Sequence, residues 1–113
     1  MGGNDLLEGL RAVGEPTRLR MLQLLVGWSG PRTGPLHPRE PGLCLSDVEL
    51  VVGLPHPLVC HHLRILKRAG LVETDRRGRW TVYRARQERL AELAVELRRL
   101  SAPGEDGPLT RVA

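Results

Sequence analysis

The chain has very few aromatic side chains. It has no phenylalanine, and its two tryptophans and one tyrosine make up 3% of 113 residues. Proteins that bind single-stranded nucleic acid stack bases on aromatic rings, so this composition argues against such a platform. No run of about 18 apolar residues occurs either, and we therefore expect no transmembrane helix.

Cysteine is also scarce, with only two in the chain. The N-terminal segment MGGNDLLEGL lacks the positive charge and long apolar core of a signal peptide. We therefore expect a cytoplasmic protein whose cysteines are thiols rather than a structural disulfide. The sequence contains no glycine-rich phosphate loop, HExxH motif, nucleophile elbow or paired carboxylates. These absences argue against an enzyme, and no enzymatic cofactor is expected.

Positive charge is in excess, with 17 lysines and arginines against 13 acidic residues and a net charge of +4. The sequence pI of about 10.0 favours an acidic partner. The length is that of one domain. We assign residues 1–101 to that domain and predict a disordered tail over 102–113, where the sequence is polar and contains glycine and proline.

A short helix is predicted over Ser46–Val52. Ser46 and Glu49 have the spacing of a capping box, in which each side chain bonds the other's backbone N–H group. Gly53 is suited to end the helix, and Pro55 prevents it from continuing.

A second helix follows, roughly from His56 to Ala69. Val59, Leu63 and Leu66 recur at helical spacing and form its inner face, which His62 shares. His61 and His62 are adjacent and point to different faces, which is poor geometry for a shared metal. The opposite face is polar and basic, and its residues are His56, Pro57, Cys60, His61, Arg64 and Arg68.

A β-hairpin comes next, with strands over Leu71–Thr74 and Trp80–Arg84. Gly78 can adopt positive φ in the turn between them. The tip of the hairpin contains three arginines, whose positive charges would repel one another in the free protein. DNA could neutralise them, either through the phosphates of its backbone or through the negative potential of a narrow minor groove. The three arginines are Arg76, Arg77 and Arg79. A tight turn between two helices, followed by a hairpin, predicts a winged helix-turn-helix that places its second helix in the DNA major groove.

The flanking segments complete the predicted domain. A first helix ends near Val13, and a second covers Pro16 to about Val26. The proline- and glycine-rich insertion over residues 27–43 has no room for helix or strand, and is either a solvated loop or a ligand-linked flap. The last helix, about Gln87–Leu100, has leucines spaced by three, four and three residues, as in helices that pair with another helix.

The chain resembles the ArsR/SmtB family of bacterial winged-helix repressors in the segments EPTRLRMLQLL, LCLSDV, LPHPLVCHHLRILKRAGLV and GRWTVYRA. The resemblance implies a mainly α fold of five helices, with a β-hairpin wing before the last. It also implies a homodimer and a sequence-specific repressor of double-stranded operator DNA, released by a metal ion, a metalloid or an oxidant. The first and last helices would form the dimer interface through Leu6, Leu7, Leu10, Leu90, Leu93, Leu97 and Leu100.

The signal that releases DNA is left open by the sequence. Arsenic-sensing relatives have several thiols at the positions where this chain has Cys44, Ser46 and Glu49, so only one thiol of that site is present. Zinc-sensing relatives bind the metal with a histidine of the last helix, and the last helix of this chain contains none. Cys44 paired with His37 could bind a metal or metalloid. Cys60 on the predicted DNA face could react with an oxidant. Alternatively, both cysteines only pack, and the protein is a constitutive regulator or a protein-interaction module for an acidic partner.

Overall fold

The structure is a computed structural model that describes residues 3–101. Within this range it contains five helices and a three-stranded sheet. In chain order they are α1 (Gly3–Val13), α2 (Pro16–Gly27), β1 (Leu43–Cys44), α3 (Leu45–Val52), α4 (His56–Arg68), β2 (Val72–Arg77), β3 (Trp80–Ala85) and α5 (Gln87–Ser101). The predicted fold class, five helices with a β-hairpin before the last, is confirmed. The predicted disorder of 102–113 lies outside the described residues.

The start of α3 differs from the prediction. Cys44, rather than Ser46, occupies the N-cap position, and its side chain makes no capping hydrogen bond. The reason is a strand that was not predicted: β1 pairs Cys44 with Val82 and holds Cys44 in extended conformation. The helix therefore begins at Leu45, and the capping-box prediction is wrong. The other end agrees with prediction, since Gly53 closes α3 with φ +72°.

The sheet has the order β1-β3-β2 and is antiparallel throughout. The hairpin strands are longer than predicted, because Arg77 pairs with Trp80 and only two residues remain in the turn. Gly78, the first of them, has φ +60°, as a two-residue hairpin with glycine first requires. We call this β2–β3 hairpin the wing.

The core lies between the helices and the inner face of the sheet. Its most buried large side chains are Met21, Leu25, Leu43, Val48, Val59, Leu63, Leu66, Leu71, Val72 and Val82. No helix among the described residues is long and apolar enough to cross a membrane.

Helix α5 contributes Leu93 to the chain's own core. Its side chain is only 4% exposed and packs on Gly9 of α1, where an added Cβ would lie 2.8 Å from Leu93 Cδ2. The absence of a side chain at Gly9 is therefore what lets α1 and α5 approach closely. Leu93 therefore packs inside its own chain, which corrects the prediction that it faces a partner subunit. Leu97 and Leu100 are 44% and 78% exposed and remain available to a partner.

The proline- and glycine-rich insertion is fastened to the domain. The Arg32 guanidinium donates to the backbone carbonyls of Trp28 and His37, at 3.0 and 2.7 Å. Leu36 is buried, and the backbone N–H of Thr33 donates to the buried carboxylate of Asp47 at 3.0 Å. Residues 28–42 contain no helix or strand, but the two ends of the predicted segment do, because residue 27 closes α2 and residue 43 opens β1. The insertion covers the start of α3.

Candidate nucleic-acid interface

Helix α4 presents one polar face to the outside. Val59, Leu63 and Leu66 are fully buried on the other side. His62 also points inward, where its Nδ1 lies 3.2 Å from Arg18 Nη1 and 3.7 Å from Glu15 Oε2. Exposed on the outer face are His56, Pro57, His61, Arg64 and Arg68, with Cys60 half-buried among them. This division matches the one inferred from helical spacing.

A chain of three polar side chains joins α3 to α4. Glu49 of α3 bonds His56 Nδ1 through its Oε1 atom, and His56 Nε2 lies 3.4 Å from the sulfur of Cys60. The turn after Gly53 brings the two helices close enough for this contact. Helical spacing predicts that His56 and Cys60 share one face. The contact of Glu49 with His56 was not predicted, since Glu49 was expected in a capping box.

The wing does not carry three unopposed arginines. Arg77 forms ion pairs with Asp75 at 3.2 Å and with Glu40 of the insertion at 3.0 Å. Asp75 also pairs with Arg84 at 3.2 Å. The hydrogen bond from Arg77 holds the pKa of Asp75 below its ordinary value, and the same bond raises the pKa of Arg77. The positive charge of Arg77 is therefore balanced within the chain.

Arg76 and Arg79 present their charge at the tip. Arg76 donates to the carbonyl oxygen of Gly78 and to Thr81 Oγ1, both at 3.0 Å. The guanidinium of Arg79 lies over the Trp80 ring, 5.2 Å from its centre. Over residues 3–101, neither arginine forms an ion pair with a carboxylate. These two cations can therefore meet an external anion.

Between α4 and the wing runs a groove of about 250 Å³. It is lined by Cys60, Leu63, Arg64, Lys67, Thr74 and Tyr83. Lys67 was not identified from the sequence, although it lies three residues after Arg64 on an edge of the same face. Its amine donates to Thr74 Oγ1 at 3.1 Å. Arg68 instead lines a separate cleft against α1, so the structure divides the predicted basic face in two.

Cys44 is enclosed, in contrast to Cys60. Its sulfur lies 3.1 Å from Asp47 Oδ2 and 3.6 Å from Thr33 Oγ1, and Gly34 of the insertion packs directly on it. His37 is exposed, and its Nδ1 accepts from the backbone N–H of Arg39. The structure does not bring His37 to Cys44, so the predicted thiolate–imidazole pair is corrected. In the described part of the chain, no three His, Cys, Asp or Glu side chains are grouped to hold a metal.

Comparison with known proteins agrees with this architecture. A family model described as "Bacterial regulatory protein, arsR family" matches residues 39–74. An uncharacterized HTH-type transcriptional regulator of Methanocaldococcus jannaschii is 31% identical over 86 residues, which cover 76% of this chain and 83% of that protein. The chain belongs to the ArsR family.

Other ArsR-family relatives extend the match. The HTH-type transcriptional repressor SmtB of Mycobacterium tuberculosis is 32% identical over 88% of this chain, which spans 62% of that repressor's length. A solution structure from Mycobacterium bovis, described as a homodimeric winged helix-turn-helix DNA-binding domain, superimposes with a TM-score of 0.63 at 20% identity, covering 90% of this chain and 83% of that one. This ArsR-family chain is therefore a winged helix-turn-helix transcriptional regulator and not an enzyme.

Proposed function

We propose that this protein is a homodimeric repressor that binds specific sequences of double-stranded DNA through α4 and the wing. The observation that carries the proposal is that the outer face of α4 adjoins the wing: Arg64 and Lys67 line one groove with the wing, and His56 lines another with Arg79. In that role the protein acts in the cytoplasm, where bacterial DNA lies.

The outer face of α4 supports base reading. An α-helix fits the major groove, and exposed arginine and histidine side chains can reach the edges of the bases. Arg64 is the strongest candidate, since it is exposed near the middle of the helix and its planar guanidinium can pair with one guanine through two hydrogen bonds. His56, Pro57, Cys60 and His61 are the proposed neighbouring contacts.

The wing supports contact with the DNA backbone. Arg76 and Arg79 are exposed cations at the tip, and they suit phosphates or a narrow minor groove. Arg77 is withdrawn from the proposed contacts because Asp75 and Glu40 already neutralise it. Arg68 is withdrawn because it lies toward α1.

The exposed apolar side chains of α1 and α5 support the dimer. Leu7, Leu97 and Leu100 are between 44% and 78% exposed, and α1 packs along α5. The proposed interface also includes the half-buried Leu6, Leu10 and Leu90. A two-fold dimer would place its two α4 helices about 34 Å apart, or a multiple of that distance, and would thus bind a palindromic site.

We further propose that a thiol-reactive signal releases the DNA. Cys60 lies at the centre of the proposed contact face and is partly accessible, whereas Cys44 is enclosed under the insertion. A group attached to Cys60 would meet the DNA surface directly. A metal ion or metalloid acting as inducer is the alternative signal.

The proposal is tested by selecting bound duplexes from a random library and measuring affinity at two salt concentrations. Specific binding should survive competition with unrelated DNA. Arg64→Ala should cost about 1–3 kcal/mol on the selected site and relax specificity at one position. Arg99→Ala is the matched control, because Arg99 is an exposed arginine on α5. Failure to enrich any sequence would favour a protein-interaction module instead.

A further inference from the structure

We propose that the cleft between α1, α2 and α4 is a binding site for a small organic carboxylate. The cleft has a volume of about 440 Å³, which is within the range of small-molecule sites. Each of the three helices contributes one arginine to its lining. They are Arg11 of α1, Arg18 of α2 and Arg68 of α4.

The rest of the lining is largely apolar. Leu7 and Ala12 come from α1, and Ile65 and Ala69 come from α4 and its C-cap. Both alanines are buried, whereas Leu7 remains exposed at the cleft. Small-molecule sites typically combine such apolar walls with a few polar groups that orient the ligand. A matching ligand therefore carries an apolar body together with its charge.

Arg18 is held in place by contacts to α1 and α4. Its Nε donates to the carbonyl oxygen of Ala12 at 2.6 Å, and its Nη2 donates to that of Arg11 at 3.3 Å. Its Nη1 lies 3.2 Å from His62 Nδ1. A guanidinium has five N–H donors, and these contacts occupy three of them. The fixed guanidinium can therefore offer two further donors to a carboxylate.

The charge of the cleft selects a ligand with one negative charge. Over residues 3–101, none of the three arginines forms an ion pair, and Glu8 supplies the one carboxylate of the lining. Arg11 and Arg68 lie in the last turns of α1 and α4, where each helix end offsets about half a positive charge. Three positive charges, less one for Glu8 and about one for the two helix ends, leave about one.

The cleft is linked to the proposed DNA-contact helix through His62. A guanidinium can only donate, so His62 Nδ1 accepts from Arg18 on the inner face of α4. A carboxylate that pairs with Arg18 competes with His62 for the guanidinium and loosens the packing of α4 on α2. Occupancy of the cleft should therefore lower the affinity for DNA. This consequence rests on the proposed function above, whereas ligand binding itself does not.

The experiment uses the full chain and three probes. Naphthoate carries an apolar body and one negative charge, naphthalenemethanol carries the body alone, and inorganic phosphate carries charge alone. In an NMR titration, naphthoate should cause saturable shifts of the backbone amides of Ala12, Arg18, Ile65 and Ala69, but not of the wing. The alcohol should bind about fivefold more weakly, the factor that one unit charge at 4 Å gives in water. Phosphate should bind more weakly still, because it buries no apolar surface.

Replacing the exposed arginines tests the role of their charge. Arg11→Gln and Arg68→Gln should each weaken naphthoate binding by about fivefold and leave binding of the alcohol unchanged. Both side chains are exposed, so the fold should survive, and the amide spectrum of each variant verifies this. Arg99→Gln removes the same charge from α5 and should change neither affinity.

Three outcomes would overturn the inference. They are naphthoate binding no tighter than that of the alcohol, equal affinities for wild type and both cleft variants, and shifts centred on another surface. Leu7 is shared with the proposed dimer interface, so the Leu97→Glu variant, designed to be monomeric, is titrated as well. If that variant alone bound naphthoate, the cleft would belong to the dimer interface and the inference would fail.

The link to DNA is measured with a labelled duplex of the selected sequence. Saturating naphthoate should weaken DNA binding, and DNA should weaken naphthoate binding by the same factor, as linkage requires. Arg68→Gln should need about fivefold more naphthoate for the same effect. An unchanged DNA affinity would refute the link through His62. If the protein selects no DNA sequence, the proposed function fails while the differences in naphthoate binding still stand.

Discussion

The three arginines of the wing should make unequal contributions to DNA binding. Arg76 and Arg79 have no carboxylate partner among residues 3–101, whereas Arg77 is paired with Asp75 and Glu40. Single replacements by glutamine therefore form a matched series on one hairpin. Each removes one positive charge from the same element, but only two of them should remove a DNA contact.

The size of the effect follows from counterion release. Each phosphate neutralised by the protein contributes about 0.9 to the slope of log affinity against log salt. A homodimer carries two wings, so Arg76→Gln or Arg79→Gln should each lower the slope by about 1.8 if the arginine touches one phosphate. Between about 50 and 200 mM salt, that difference corresponds to about twelvefold in affinity. Arg77→Gln should leave the slope close to that of wild type.

Fluorescence anisotropy with a labelled duplex, repeated over a salt series, measures these slopes. Both specific and unrelated duplexes should show the same change, because phosphate contacts carry little sequence information. The reasoning would be refuted if Arg77→Gln lowered the slope as much as Arg79→Gln did. An unchanged slope in the double variant of Arg76 and Arg79 would mean that the wing does not touch DNA.

Three other predictions concern assembly, the core and pH. Leu97→Glu should yield monomers in sedimentation because it puts an unpaired charge into the proposed interface, whereas Leu50→Glu, at a leucine that is 79% exposed on α3, should leave the dimer intact. Leu93→Ala should destabilise the chain by about 2–5 kcal/mol in denaturant unfolding, with little effect from Leu50→Ala. The hydrogen bond from Arg77 lowers the pKa of Asp75 from its ordinary 3.8. The ion pair's contribution to stability is therefore complete above pH 3.8 and is lost as the pH falls through the lowered pKa. Asp75→Asn should reduce this loss of stability in acid.

The helices were predictable because their signals are local. Apolar residues three and four positions apart located α4 to within one residue, and Gly53 with Pro55 marked the turn before it. The same spacing separated the buried Val59 and Leu63 from the exposed face. Short strands carry no such signal. The two-residue strand β1 exists only because β3 lies beside it, and its formation displaced the N-cap of α3 by two residues.

The candidate site was predictable in outline but not in its pairings. The positions of Cys60 and the wing arginines follow from spacing along one helix and one hairpin. Glu49 reaches His56 across a turn, and Glu40 reaches Arg77 from 37 residues away in sequence. Such partners are chosen by how elements pack, and a single sequence contains no periodicity that reveals them.

The sequence alone determined the order of the elements, the buried and polar faces of α4 and the excess of positive charge, since each depends on composition or on neighbours within a few residues. Only the tertiary structure decided which wing arginine is neutralised, which cysteine is enclosed and where Leu93 packs. Those outcomes depend on the insertion folding over α3 and on α1 approaching α5 at Gly9. Contacts between residues distant in sequence form only when the whole chain has buried its core, and they decide which polar groups remain available to a partner.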